Sequence, residues 1–335
     1  MLLSTDAPLA EEYDLALVDL DGVAYRGKDP IEHAAEGLAG ARTAGMDVVF
    51  VTNNASREPE SVSAQLCGLD IPSEPGDVMT AAQAAAAVLA GRLEPGSKVL
   101  VVGGAGLVTA VKAVGLVVVA SADDDPAAVV QGFAPDIGWR QLAEASYAVQ
   151  RGAWFVASNL DLTLPNEHGF APGNGALVGV VRAATGVEPV SAGKPEPTLY
   201  HLAVERRGAA RPLVVGDRLD TDLGGARAAD YPGLHVLTGV SDARDAVLAP
   251  PEHRPSYLGA DLRSLLVAHR APEPVDGWWR CGRARARVSA GVLELDGPAG
   301  SLDLVRAACS AAWEAADRGQ PVDPGTVPTL HVDEG

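Results

Sequence analysis

Two aspartates separated by one residue and followed by glycine close the first apolar run of the chain: Asp19-Leu20-Asp21-Gly22. Carboxylates at this spacing on an extended segment point to opposite faces unless the chain turns, and Gly22 permits the turn. One can then face a cation or an electrophile while the other handles a proton. Taken alone, the pattern equally describes a turn after a strand or a loop calcium site. A second acidic group, Gly216-Asp217 with Asp222, follows the apolar run 213–215. Four converging acids would raise one another's pKa by repulsion, so they stay ionised only around a bound cation. An all-oxygen ligand set favours Mg²⁺, with waters and a substrate oxygen completing the octahedron. Thr52-Asn53-Asn54 offers a hydroxyl and amides suited to phosphate oxygens, and Lys194 in Gly193-Lys194-Pro195 offers a fixed positive charge. Lysine supplies only 4 of the 26 basic residues. Its retention at 194 points to a compact point charge, although the same type at Lys28, Lys98 and Lys112 leaves a surface role open.

These residues sit where a parallel α/β architecture would bring them together. Short β-branched runs at 15–20, 47–52, 98–102, 153–157 and 212–215 alternate with alanine-rich helical patterns, which is the pattern of parallel α/β layers. Three runs end in the polar clusters at 19–22, 52–54 and 216–222, and the carboxyl ends of parallel strands form the ligand crevice of such a sheet. A helix is expected over 30–41, with Pro30 in its first turn. Between 80 and about 186 a further αβ series carries none of the clusters and reads as an inserted lid. After 266 the composition changes to a linker, Trp278-Trp279, two alternating runs and a helix starting at Ser301 and stopping near Gly319.

The order Asp-x-Asp-Gly-Val, Val-Thr-Asn-Asn, Gly-Lys-Pro, Gly-Asp-x-x-x-Thr-Asp resembles the four motifs of the haloacid dehalogenase superfamily, most closely its subclass IIA of NagD-like and nitrophenylphosphatase-like enzymes. The resemblance covers about residues 12–268 and extends to the blocks 132–136, 157–161, 172–176 and 237–240. It implies a Rossmann-like parallel-sheet core at 1–80 and 187–268, a C2-type α/β cap at 81–186, and a small C-terminal α/β extension at 272–335. It further implies a Mg²⁺-dependent phosphomonoester hydrolase in which Asp19 is the nucleophile that becomes an aspartyl phosphate and Asp21 the acid/base. Asp19, the Asp21 carbonyl, Asp217 and Asp222 would then surround the metal, while Thr52, Asn53, Asn54 and Lys194 hold the phosphoryl group. Leu164, in the cap segment that faces the site in the family, falls where a pyridoxal phosphatase would have histidine, which weakens that substrate. The core with its short extension is similar to the actinobacterial glycerol-3-phosphate phosphatases, whose tail is acetyltransferase-like. That similarity implies glycerol 3-phosphate as substrate and a role in glycerophospholipid recycling. Phosphoglycolate or a broad range of sugar and nitrophenyl phosphates is the alternative.

Other features have plainer readings. Gly103-Gly104-Ala105-Gly106 lacks the dinucleotide spacing and reads as a strand-to-helix turn; Asp123-Asp124-Asp125 before Pro126 reads as a solvated loop. Arg57 could touch an anion or start a helix, His168 reads as a surface residue, Cys67 and Cys309 as small core residues, and Trp278-Trp279 as the anchor that docks the tail. An acetyl-CoA loop pattern is absent from the tail. The 335 residues carry a net charge of -18 and 47% hydrophobic residues. That excludes a disordered chain and argues against nucleic acid and anionic lipid as partners. Three cysteines without metal spacing, and acids where a signal peptide needs bases, fit a cytoplasmic enzyme without membrane insertion. A homo-oligomer is compatible with all of this.

Overall fold

A computed structural model describes residues 1–166 and 168–332. The chain forms two compact units, Met1–Val49 with Arg207–Gly335, and Phe50–Arg206. The division falls inside the strand Asp47–Thr52, and residues 272–335 do not separate from the first unit.

In the first unit the parallel strands Leu15–Val18, Pro212–Gly216, Gly233–Val236 and Tyr257–Gly259 lie side by side in that order. Every residue of these four is buried, which explains their continuous apolar runs: a parallel strand covered on both faces has no polar side to alternate with. The Asp47 N–H donates to the Asp14 carbonyl at 2.9 Å, so the next strand starts beside the first. The helix expected over 30–41 begins only at Ala34 and runs to Thr43. Asp29–Pro30 instead pairs with Tyr25–Arg26 as a short antiparallel ribbon. Proline's fixed φ suits an edge strand as well as a helix start, and His33, with φ 61°, turns the chain between the two.

The tail is a four-stranded antiparallel sheet, Glu273–Val275, Trp278–Cys281, Ala284–Ser289 and Val292–Asp296 in order, covered by the helix Leu302–Asp317. Ser301 caps that helix as expected, its Oγ accepting the Asp303 N–H at 3.2 Å. The helix packs into one apolar cluster with Leu219, Leu223, Ala246 and Val247 of the core. The docking anchor is Trp313, not the Trp278-Trp279 pair. Trp313 is 1% exposed, donates Nε1–H to the Ala246 carbonyl at 3.0 Å and lies under the Arg254 guanidinium, which also forks onto Asp317 at 2.8 Å. Trp278 is instead stacked by Arg285 and Arg287 of its own sheet, while Trp279 donates to Glu314 at 3.0 Å. Alternation put these two indoles on opposite faces of one strand, so they could not act as one anchor.

In the second unit a five-stranded parallel sheet runs Val190–Ser191, Trp154–Ala157, Ala128–Gln131, Lys98–Val102, Val117–Val119. The helices Trp139–Gln150 and Asn174–Thr185 close its core through Leu142, Ala145, Val178 and Val181. The glycine-rich segment is a strand-to-helix turn, as read: a Cβ on Gly104 or Gly106 would press on the backbone of Ser56 and Arg57. A hairpin, Thr163–Asn166 with Gly169–Pro172, projects after residue 161. Cys67 ends the helix Pro59–Cys67 exposed rather than in the core, off the face that buries Val62 and Leu66. No helix among the described residues is long and apolar enough to cross a membrane.

Candidate active site

The acidic residues of the first unit converge. Asp19 follows the strand Leu15–Val18 and its N–H extends the ladder to the Val215 carbonyl at 2.8 Å, which brings it beside Asp217 at the end of the neighbouring strand. One carboxylate oxygen from each of Asp19, Asp217 and Asp222 lies within 4.8 Å of the others. All three are at least nine-tenths buried, at 9%, 0% and 1% exposed. Backbone groups orient them: the Val240 N–H donates to Asp217 Oδ2 at 2.7 Å and the Arg218 N–H to Asp222 Oδ2 at 3.1 Å. Asp222 sits in the π-helical turn Leu219–Leu223, an irregularity common at functional sites. Asp21 is exposed on the turn that follows Asp19.

That turn needs its glycine twice over. Gly22 has φ 85°, and a Cβ there would collide with the Asp217 carboxylate, as would one on Gly239. Thr238 Oγ1 donates to the Gly22 carbonyl at 2.6 Å and Arg26 Nη2 to the Thr238 carbonyl at 2.7 Å, which ties the loop 237–240 to the turn. Three buried carboxylates offering hard oxygen donors within one 4.8 Å neighbourhood fit a divalent cation such as Mg²⁺. Asp220, between Asp217 and Asp222, accepts instead from Arg218 Nη2 at 2.7 Å.

The second unit gathers the amide and lysine residues. Thr52, 6% exposed, accepts the Asn54 N–H at 3.1 Å through Oγ1, which leaves the hydroxyl proton to donate. Lys194, 4% exposed, donates Nζ–H to the Val51 carbonyl at 3.2 Å and its backbone N–H to Asn53 Oδ1 at 2.8 Å. Asn53 Nδ2 donates to the Lys194 carbonyl and to Asp161 Oδ2, at 3.1 and 3.0 Å. Asn54 does turn work: its Oδ1 accepts from the Ser56 and Arg57 N–H groups at 2.9 and 3.2 Å. Arg57 lies along its own helix, bonded to Gln65 and Ser61. Leu164 is 37% exposed on the hairpin, sharing a face with Ala171.

Residues that the motifs alone did not assign a role are Asn159, Asp161 and Asn174. Asn159 Nδ2 donates to the Asn53 carbonyl and Asn174 Nδ2 to the Asn159 carbonyl, each at 2.7 Å. Their signal in the sequence was polarity within the blocks 157–161 and 172–176. The tail thiols offer no chemistry: burial, with Asp303 beside it, pushes Cys281 up to about 12, and burial raises Cys309 as well.

Comparison with known proteins gives three family matches. The family described as haloacid dehalogenase-like hydrolase matches residues 16–117, a HAD-hydrolase-like family matches 191–265, and a GCN5-related N-acetyltransferase like domain matches 281–329. Among curated relatives, the D-glycerol 3-phosphate phosphatase of Mycobacterium tuberculosis is 47% identical over 314 residues, 92% of this chain and 88% of its own. An acid sugar phosphatase of Staphylococcus saprophyticus is 36% identical over 258 residues, 76% and 98% of the two chains. Among solved structures, a glycerol phosphate phosphatase from Mycobacterium tuberculosis in complex with magnesium superposes with a TM-score of 0.85 at 46% identity, covering 92% of this chain and 93% of that one.

Proposed function

Since the chain belongs to the haloacid dehalogenase-like hydrolases, we propose that it is a Mg²⁺-dependent phosphomonoesterase that hydrolyses glycerol 3-phosphate to glycerol and inorganic phosphate. The reaction class rests on one observation, three buried carboxylates whose oxygens share a 4.8 Å neighbourhood. The substrate rests on the 47% identity to the mycobacterial D-glycerol 3-phosphate phosphatase. The acid sugar phosphatase relative supports the broader sugar-phosphate reading as the alternative.

In this reading Asp19, Asp217 and Asp222, with the Asp21 carbonyl, hold Mg²⁺, which when bound neutralises charge on the phosphoryl oxygens. The second Asp19 oxygen attacks phosphorus and the ester P–O bond breaks. Asp21 gives its proton to the departing alkoxide, then takes one from the water that cleaves the aspartyl phosphate. A carboxylate nucleophile thereby divides one hard displacement into two easier ones. Thr52, with its hydroxyl proton uncommitted among the described residues, and the Lys194 ammonium stabilise the transferring group. Asn53 and Asn54 shape that grip, and Leu164 contacts the leaving group. The domain assignment that accompanies this reading is a catalytic core at 1–80 and 187–268, a C2-type cap at 81–186 and an extension at 272–335. The net charge of -18 argues against nucleic acid as a partner. Three unpaired thiols support the cytoplasm as compartment.

Phosphate release from glycerol 3-phosphate, phosphoglycolate, pyridoxal phosphate, sugar phosphates and nucleotides, with Mg²⁺ and with EDTA, tests the reading. Activity should be highest on glycerol 3-phosphate, vanish with EDTA, and fall more than about a thousandfold in Asp19→Asn. Activity that survives Asp19→Asn refutes the assigned nucleophile, and a sugar phosphate at the top of the ranking favours the alternative.

A further inference from the structure

The Asn53 carboxamide is fully engaged inside the second unit. A primary amide has two N–H donors and one oxygen. Both donors are used, one on Asp161 Oδ2 at 3.0 Å and one on the Lys194 carbonyl at 3.1 Å, and the oxygen accepts the Lys194 N–H at 2.8 Å. The Asn53 carbonyl is engaged too, accepting Asn159 Nδ2. Gly193 completes the fit, because a Cβ there would press on Asn53 Oδ1, Asn159 Cβ and the Ser158 carbonyl. This side chain therefore cannot donate to a phosphoryl oxygen without giving up one of these bonds.

An amide is nearly symmetric in shape, so something must fix which end faces which neighbour. An ionised carboxylate only accepts, so Asp161 fixes the NH₂ end. With that end fixed, Oδ1 faces the Lys194 backbone, and the backbone from which the ammonium extends is held on two hydrogen bonds. The same aspartate is itself held, its N–H on Asn159 Oδ1 at 3.1 Å and its carbonyl on the Gly175 N–H at 2.9 Å. It also stands two residues before the hairpin Thr163–Asn166.

We propose that Asp161 is a positioning residue: through Asn53 it sets the place of Lys194, and so couples the root of the hairpin that carries Leu164 to the grip on the phosphoryl group. The proposal rests on the hydrolase reading for the role of Lys194. It differs from a substrate contact in a way that can be measured. A residue touching the alcohol portion of the ester changes discrimination among leaving groups. A residue that sets Lys194 changes affinity for phosphate itself.

The experiment uses the full chain with Mg²⁺, as wild type, Asp161→Ala and Asp161→Asn. It measures inorganic phosphate binding by calorimetry, kcat and KM on glycerol 3-phosphate and p-nitrophenyl phosphate, and the melting temperature. Asp161→Ala should weaken phosphate binding and lower kcat/KM on both esters alike, by about tenfold to a hundredfold, since it removes a charge-assisted hydrogen bond. Asp161→Asn, whose carboxamide oxygen can still accept, should recover phosphate affinity to within about threefold of wild type. Unchanged phosphate affinity in Asp161→Ala, or a loss confined to glycerol 3-phosphate, overturns the proposal. Should Asp161→Ala not fold, Asn53→Asp sets two carboxylates face to face and should weaken phosphate binding; adding Asp161→Asn to it should restore part of the loss, and no restoration overturns the coupling. A wild type that hydrolyses neither ester refutes the hydrolase reading, while the phosphate affinities still decide the role of Asp161.

Discussion

The two chemical clusters of this chain are built by opposite means. In the acid cluster the functional groups lie on two tight turns, and backbone N–H groups at 218 and 240 hold the carboxylates. In the amide and lysine cluster, segments 52–54, 158–161 and 193–194 are knitted by side-chain amides. A site held by backbone tolerates changes in neighbouring side chains and fails when a Cβ is added, whereas a site held by amides fails one amide at a time. The acid cluster also stands on an apolar floor, because Leu219 and Leu223, which flank Asp222, pack in the cluster that contains the tail helix. The tail thus has a physical role in the first unit whatever its ancestry.

The largest expected effect tests that floor. Trp313→Ala should cost about 3–5 kcal/mol, the range for removing a buried aromatic, and Trp278→Ala on the outer face of the tail sheet less than about 1 kcal/mol. Urea unfolding measures both; equal losses would mean that the floor does not depend on the tail helix. Next, Gly239→Ala forces a methyl group into the Asp217 carboxylate and should cost about 1–3 kcal/mol of the overpacking kind, with a matching fall in activity. The matched control in the other unit is Gly179→Ala, where a Cβ meets nothing within 4 Å in the helix Asn174–Thr185; it should be neutral or stabilise by up to about 1 kcal/mol. A Gly239→Ala enzyme with wild-type kinetics would break the claim that close backbone approach sets the acid cluster. On the amide side, Asn159→Ala removes the bond to the Asn53 carbonyl and the one accepted from the Asp161 N–H, and should lower kcat/KM about tenfold to a hundredfold, the value of one to two hydrogen bonds.

The same contrast decides what the sequence could reveal. The acid residues were legible because each pair, Asp19 with Asp21 and Asp217 with Asp222, lies within a few positions of a strand end, which is a local pattern. The parallel strands, the inserted αβ series and the tail helix from Ser301 were legible for the same reason, since their periodicity is local. Asn53 was recognised without the partners of its side chain, because a motif names a residue and not its partners. Asp161 stood in a noted block without a role, since its partner is 108 positions away. The tail anchor was misassigned to Trp278-Trp279, where a doublet stood out by composition, while Trp313 is one member of the helical stripe Leu302, Val305, Cys309 and Trp313, and only tertiary packing singles it out. Pro30 misled similarly: its geometry satisfies two elements, and the choice between them was made by pairing with Tyr25–Arg26.

A smaller effect separates the units by pH. Burial holds His235 and His269 at about 4, and both belong to the first unit. His269 is held neutral between the Ser264 carbonyl at 2.8 Å and Arg306 Nη2 at 3.3 Å, beneath the Tyr257 ring. In the unfolded chain histidine titrates near 6.5. Between about pH 6.5 and 4 the unfolded chain therefore binds a proton that the native state refuses, and stability falls as the pH falls through that window. Each such histidine contributes a slope of up to about 1.4 kcal/mol per pH unit. Urea unfolding of His269→Phe from pH 7.5 to 4.5 should show a shallower slope than wild type, whatever the variant's absolute stability. Hydrogen exchange should locate the loss as well: in the wild type, protection in the strand Leu15–Val18 should fall between pH 7 and 5 by more than in Lys98–Val102. An unchanged slope in His269→Phe would mean that the native state accepts the proton after all, and that acid does not distinguish the region resting on the tail from the region held by amides.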